Sequence, residues 1–304
     1  MKISLGPIQY FWPAKKIFDF YEQAKMWPVD IIYLGENVCA KRQELKLDDW
    51  IKIADTLTAA GKEVILSTMV LLEADSELSR LKKICLNENY SIEANDLSAV
   101  YLLKELKQFV AGPHINTYNT ETINLLSKLG AYRWVMPIEL SALTLKQLSE
   151  NIPDDFETEV FAYGHIPLSF SARCFTSRKY NLPKDQCGFL CKQDEQGISL
   201  LTQEQDKLFN INGIQLQSGT PCNLIAEIEQ MSSLQVDVVR LSPQLNDMPT
   251  VIEMFRKAID KTITQTEMDL WLTRSTSKEQ WCNGYWYGQP GMNWQSQAQR
   301  RMND

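Results

Sequence analysis

Short apolar runs rich in β-branched residues alternate with amphipathic stretches from the first residues to past the middle of the chain, and this rhythm restricts the fold more than any other feature. The runs are 3–8 (ISLGPI), 30–36 (DIIYLGE), 63–69 (EVILSTM), 90–96 (YSIEAND), 109–119 (FVAGPHINTYN), 132–140 (YRWVMPIEL) and 158–164 (TEVFAYG). Between them, 14–25, 47–61, 76–86, 96–107, 120–129 and 143–150 carry apolar residues at helical spacing with polar residues opposite. Ala60-Gly61 and Leu129-Gly130 supply the glycine that ends a helix, and Thr120-Glu121 reads as a helix start. Continuous apolar strands joined by helices belong to a parallel sheet buried on both faces. Seven or eight such units predict an α/β fold, a (β/α)8 TIM-like barrel that is complete or irregular, with a doubly wound open sheet as the alternative.

After residue 164 the rhythm breaks for about 45 residues, well beyond ordinary loop length. The segment 209–218 (FNINGIQLQS) then reads as a hairpin turning at Asn212-Gly213. A helix is expected from Cys222 to Leu234, and 236–243 (VDVVRLSP) as the last barrel strand. A length of 304 residues allows two domains or one barrel. The pattern favours one domain over 1–304, with an insertion at about 165–210 and a C-terminal extension from about Ser275. In that extension Trp281, Tyr285, Trp286, Tyr287 and Trp294 read as coil packed on the body, or as the lining of a pocket for an apolar ring.

Charge narrows the function classes. With 31 basic against 38 acidic residues the net charge is −7, which argues against nucleic acid as a partner. The N-terminal segment lacks the apolar core and cleavage site of a signal peptide. The longest apolar run, Val64 to Leu72, falls far short of the ~20 residues of a membrane span. Seven cysteines, an odd number, without a secretion signal suit a reducing cytoplasm.

In a parallel barrel the chemistry sits at the C-terminal ends of the strands. By that rule Glu36 and Cys39 follow strand 2; Glu93, Asn95 and Asp96 close strand 4; His114, Asn116, Tyr118 and Asn119 follow strand 5; Glu139 follows strand 6; and His165 follows strand 7. The loop after strand 7 holds Cys174, Cys187 and Cys191 within 18 residues, on the same barrel face as Cys39. Four thiolates able to converge suit zinc or a [4Fe–4S] cluster, and spacing alone does not separate the two; buried inert thiols are the plain alternative. Cys85 reads as a core residue, and Cys222 and Cys282 as weaker spare ligands. Glu36, His114, Glu139 and His165 are the candidate acid–base groups. Glu36, Glu93 and Glu139 are able to form a hard-metal site or to pair with Arg133, Arg173 or Arg178. No hydrolase elbow, zinc-protease, P-loop or dinucleotide motif occurs.

The segments 33–42 (YLGENVCAKR), 112–122 (GPHINTYNTET), 135–141 (VMPIELS), 163–178 (YGHIPLSFSARCFTSR) and 281–292 (WCNGYWYGQPGM), with C-x12-C-x3-C from Cys174, resemble the collagenase-like peptidase family of unassigned catalytic type. The likeness is to its branch acting in ubiquinone biosynthesis. It implies a [4Fe–4S] cluster on Cys39, Cys174, Cys187 and Cys191, and a heterodimer with a paralogue carrying its own cluster. It further implies a sterol-carrier-like lipid-binding partner and oxygen-independent hydroxylation of a prenylated phenol, with prephenate as oxygen donor. A metal-dependent peptidase and a noncatalytic electron-relay subunit are the competing readings.

Overall fold

The protein is described by a computed structural model covering residues 1–153, 155–275 and 281–296. Its first half alternates β1 (Lys2–Leu5), α1 (Ala14–Ala24), β2 (Ile31–Leu34), α2 (Leu47–Ala59), β3 (Glu63–Ser67), α3 (Asp75–Cys85), β4 (Ser91–Ala94), α4 (Leu97–Leu103), β5 (Phe109–Ala111), α5 (Thr120–Lys128), β6 (Ala131–Val135) and α6 (Ala142–Ser149). There follow β7 (Glu157–Phe170), α7 (Phe175–Lys179), β8 (Ile198–Leu201), β9 (Lys207–Asn212), β10 (Gln215–Asn223), α8 (Ile228–Ser233), β11 (Val238–Leu241), α9 (Met248–Ile259) and α10 (Gln265–Ser275).

Strands β1 to β7 pair in chain order, and β11 pairs in parallel with both β1 and β7, which closes an eight-stranded parallel barrel. This is the TIM-like fold that the alternating pattern predicts, and the open sheet is excluded. The helices pack outside over one large apolar layer that includes Ile32, Leu34, Leu66 and Phe255. Alternate strand residues point inward and form a smaller cluster of Ile31, Tyr33, Ile65, Val110, Val135 and Val238. Charge shares that interior. Glu159 accepts from Ser4 Oγ (2.6 Å), Tyr33 Oη (2.6 Å) and Arg240 Nε (2.7 Å), while Arg133 reaches Glu157 and Tyr33. Glu159 is fully buried, and burial alone would push its carboxyl up; Arg240 and Arg133 outweigh that and hold it below the usual carboxylate range.

Four elements differ from expectation. Strand β5 stops at Ala111 because the chain then turns, with Ile115 N–H bonding back to Gly112 O across Pro113 and His114. Helix α4 is shorter than 96–107. Strand β7 continues past Gly164 to Phe170 because β10 pairs with it antiparallel, and β9 and β8 extend that sheet beyond the barrel. For the same reason Cys222 and Asn223 are strand, not helix; a 3-10 turn at Ile225–Glu227 precedes α8. The hairpin between β9 and β10 does turn at Asn212-Gly213, where Gly213 takes φ 66°.

The aromatic tail packs on the body. Trp281 stacks on Trp271 at 6.0 Å, and the Trp286 indole donates to Gln230 Oε1 at 2.7 Å. Residues 276–280 and 297–304 of the expected extension lie outside the described residues. Among the described residues no helix is long and apolar enough to cross a membrane.

Candidate cysteine site and barrel-mouth cavity

Two adjacent features occupy the C-terminal face of the barrel. The first is a cavity of about 190 Å³ whose lining includes Glu93, His114, Tyr118, Glu139, Phe170 and Arg240. Glu93 is wholly buried at the end of β4. It accepts from Arg240 Nη1 (2.7 Å), from the Ser67 hydroxyl and from Asn95 Nδ2 (3.2 Å). His114 stands edge-on to Phe170 at 5.0 Å. Burial, reinforced by the Arg240 charge, pushes its imidazole down to about 3, so it is neutral at physiological pH. At the rim the Tyr118 hydroxyl donates to Glu139, and burial together with that carboxylate pushes Tyr118 up to about 12.

The second feature is a small pocket lined by Cys39, Cys174, Cys187 and Cys191 together with Lys41, Arg42 and Lys184. Each cysteine is delivered by a defined local structure. Cys39 lies in the loop after β2, where Glu36 Oε1 accepts from the backbone N–H groups of Val38 (2.9 Å) and Cys39 (3.0 Å). Cys174 caps α7, its sulfur accepting from Ser177 N–H at 3.5 Å. Cys187 ends the 3-10 turn Lys184–Gln186, and Cys191 sits in the next turn, Leu190–Lys192, entered through left-handed Gly188 and Phe189. Burial pushes the Cys39 and Cys191 thiols up, and Arg42 pulls against it.

Arg42 fastens these pieces together. Buried in the protein, it donates from Nη1 to Gln9 O and from Nη2 to Asn212 Oδ1, both at 2.7 Å, tying the Cys39 loop to the β9–β10 hairpin. Lys41 Nζ adds a bond to Lys184 O at 2.9 Å, beside Cys187. Phe170 packs on the buried cluster of Val38, Cys39, Cys174 and Ile214 and also lines the mouth cavity.

Glu93, His114 and Glu139 share the mouth cavity, and the other candidates do not join them. Glu36 turns onto its own loop, where burial pushes its carboxyl up, and it does not line the mouth cavity. His165 lies within β7, not after it; its Nδ1 is 2.7 Å from Ser218 O, inside the β7–β10 pairing. Glu139 is exposed, and Glu93 pairs with Arg240, not with Arg133, Arg173 or Arg178. Asp96 and Asn119 cap α4 and α5. Cys85 is buried in the core, and Cys222 and Cys282 are buried against each other across a β-bridge. Among the described residues no three His, Cys, Asp or Glu side chains stand close enough to ligate a single metal ion. Arg240, Arg42 and Phe170 had no distinguishing motif; their only signal was position, at a strand end or beside a cysteine.

The pattern of peptidase family U32 matches residues 20–296. The tRNA hydroxylation protein P1 of Bacillus subtilis (strain 168) is 21% identical over 243 residues, 75% of this chain and 49% of that protein, so the chain spans about half the length of this relative. A solved U32 peptidase is similar at 9% identity with a TM-score of 0.46, over 81% of this chain and 94% of that one. Dihydropteroate synthase from Thermus thermophilus is similar at 10% identity with a TM-score of 0.40, over 86% and 92%. The family match runs through the barrel and the cysteine-bearing insertion alike, and on that ground the chain belongs to peptidase family U32.

Proposed function

We propose that the chain is an iron–sulfur component of an oxygen-independent hydroxylase, of the UbiV type, acting on a prenylated phenol in ubiquinone synthesis. The carrying observation is the set of four cysteines lining one pocket, with Phe170 packed on the buried cluster that holds Cys39 and Cys174 and also lining the cavity at the barrel mouth. The donor set fits a [4Fe–4S] group. Four thiolates are the usual ligand set for such a cluster, and Lys41, Arg42 and Lys184 in the same pocket offset negative charge.

When bound, such a cluster supplies one-electron chemistry or an iron site for an oxygen-bearing reactant. The chain's own residues do the rest. Glu36 and Arg42 fix the Cys39 loop, Ser177 N–H donates to the Cys174 sulfur, and Phe170 packs on the cluster that holds Cys39 and Cys174. The relative carrying the name tRNA hydroxylation protein supports hydroxylation as the reaction class. The net charge of −7 favours a small or lipid-borne ring over RNA. The reading includes a UbiU-like paralogue as heterodimer partner, a UbiT-like lipid carrier that presents the prenylated ring, and prephenate as oxygen donor.

The test is anaerobic purification with iron and sulfide analysis, alongside ubiquinone formed without oxygen in cells. The expected protein is brown, with broad absorbance near about 400 nm. Substituting Cys39, Cys174, Cys187 or Cys191 with Ala should remove both iron and ubiquinone synthesis. A colourless protein with one zinc per chain, or a full cluster in Cys39→Ala, would overturn the reading.

A further inference from the structure

One pair of cysteines stands outside the pocket of four. Of the seven in the chain, Cys39, Cys174, Cys187 and Cys191 line that pocket and Cys85 lies in the core. Cys222 and Cys282 remain, both buried, with free thiols. Cys222 is near the end of β10 and Cys282 is in the aromatic tail, and a single parallel bridge sets them opposite each other. Cys282 N–H donates to Pro221 O at 3.0 Å and Asn223 N–H to Cys282 O at 3.1 Å, which closes the bridge on both sides of Cys222. Neighbouring strands lie about 4.8 Å apart, inside the roughly 4.4–6.8 Å between Cα atoms that a disulfide spans.

The sulfurs meet as well. The Cys282 thiol donates to Thr220 O at 3.4 Å, and the Cys222 thiol donates to the Cys282 sulfur. That second bond pulls the Cys282 thiol down and, with burial, pushes Cys222 up, so the two differ as an attacking and a resolving thiol do. The seam between tail and barrel that Cys222 lines holds a cavity of only about 10 Å³, walled by Met136, Leu140, Ile166 and Trp286 among others. A space of that size takes at most one molecule about as large as water. The seam therefore selects a small neutral oxidant and excludes a bulky disulfide reagent.

We propose that Cys222 and Cys282 are a site of oxidation by hydrogen peroxide, where a reversible disulfide staples the aromatic tail to β10. In the first step the Cys282 sulfur, as thiolate, attacks one peroxide oxygen; the O–O bond breaks, Cys282 becomes the sulfenic acid, and the departing hydroxide takes up the thiol's proton and leaves as water. In the second the Cys222 sulfur attacks the Cys282 sulfur, the S–O bond breaks, and the hydroxyl leaves as water with the Cys222 proton. Two thiols and one peroxide give one disulfide and two waters, with two electrons passing from sulfur to oxygen. Peroxide reaches the pair by local opening of the tail, which an isolated bridge permits more readily than a strand ladder. The disulfide adds a covalent tie to the stacking of Trp281 on Trp271 and the Trp286 bond to Gln230. It is independent of what the pocket of four cysteines binds.

The experiment treats the anaerobically purified full chain with a small excess of hydrogen peroxide, quenches with acid, alkylates the remaining thiols under denaturing conditions, and maps the digest by mass spectrometry with and without dithiothreitol. A peptide pair joined through Cys222 and Cys282, two hydrogens lighter than the reduced pair and separated by dithiothreitol, is expected, with Cys85 still alkylated. Amides of residues 281–296 should then exchange with deuterium at least about tenfold more slowly than after reduction. Cys282→Ser under the same treatment should show no slowing, which separates the staple from oxidation at the pocket of four. Cys222 and Cys282 both still alkylated once the other cysteines have reacted, Cys282 found only as sulfinic or sulfonic acid, or links scattered over all seven cysteines overturns the proposal. So does a linked tail that exchanges as fast as the reduced one, or equal slowing in Cys282→Ser.

Discussion

His114 is one of two histidines, and its protonation is the cheapest way to test the electrostatics of the mouth. In the folded chain its imidazole is pushed from 6.5 down to about 3 by burial and by Arg240. The folded value lies below the unfolded one, so as pH falls the unfolded chain takes up the proton first. Stability is then complete above about pH 6.5 and is lost progressively until the folded group titrates near about pH 3. Within that window the slope is one proton, about 1.4 kcal/mol per pH unit. Between about pH 7 and about pH 5 the integrated loss is about 2 kcal/mol, after allowing for the curvature near 6.5. His114→Gln keeps a polar side chain of similar size and removes the titration. Urea unfolding of both proteins at a series of pH values, followed by tryptophan fluorescence, isolates the term, because every carboxylate contributes equally to both curves. The variant should lose about 2 kcal/mol less than the wild type across that interval. Parallel curves would show that His114 is not held neutral, and would reopen it as a general acid at physiological pH.

Glu159→Gln removes the charge that Arg240 and Arg133 share inside the barrel, and should cost about 3–5 kcal/mol in denaturant unfolding. Lys15→Ala, breaking an exposed pair with Asp19, should cost less than about 1 kcal/mol; similar losses for both would contradict the burial argument. Gly35→Ala meets a backbone at φ +130° and brings a methyl within 2.7 Å of Ser67 O. It should destabilise by more than about 1 kcal/mol and loosen the Cys39 loop, read as faster iron loss to a chelator. Asn119→Ala should cost about 1 kcal/mol by uncapping α5, with iron content unchanged, since that cap lies apart from the cysteine pocket.

The barrel was legible because parallel strands buried on both faces write continuous apolar runs, and DIIYL and EVILS are plain examples. Cys39 was legible for a topological reason: a residue just past β2 must lie on the face where the loop after β7 also emerges. Glu36 was misread by the same rule, because a carboxylate three residues before Cys39 reaches its own backbone N–H groups, and local capture of that kind leaves no trace in strand-end position. The length of β7 was hidden by Pro167 and by a partner strand whose register shifts twice. The arginines were hidden differently. Arg240 in VVRL reads as an interruption of a strand until the barrel closes and gives it Glu93 and Glu159 as partners.

The insertion that breaks the βα rhythm also explains how so distant a set of cysteines meets. By running past the barrel rim to Phe170, β7 supplies the edge on which β10, β9 and β8 build, and that sheet is the platform for the loop carrying Cys174, Cys187 and Cys191. A platform attached by one strand would swing, but it is held at a second point. Arg42, three residues after Cys39, reaches Asn212 on β9, and Asn212 in turn donates to Gln9 O in the loop after β1. These bonds fasten the sheet extension to two barrel loops, the one after β1 and the one that carries Cys39. The same extension of β7 brings Phe170 against the buried cluster that holds Cys39 and Cys174 and, edge-on to His114, into the lining of the mouth.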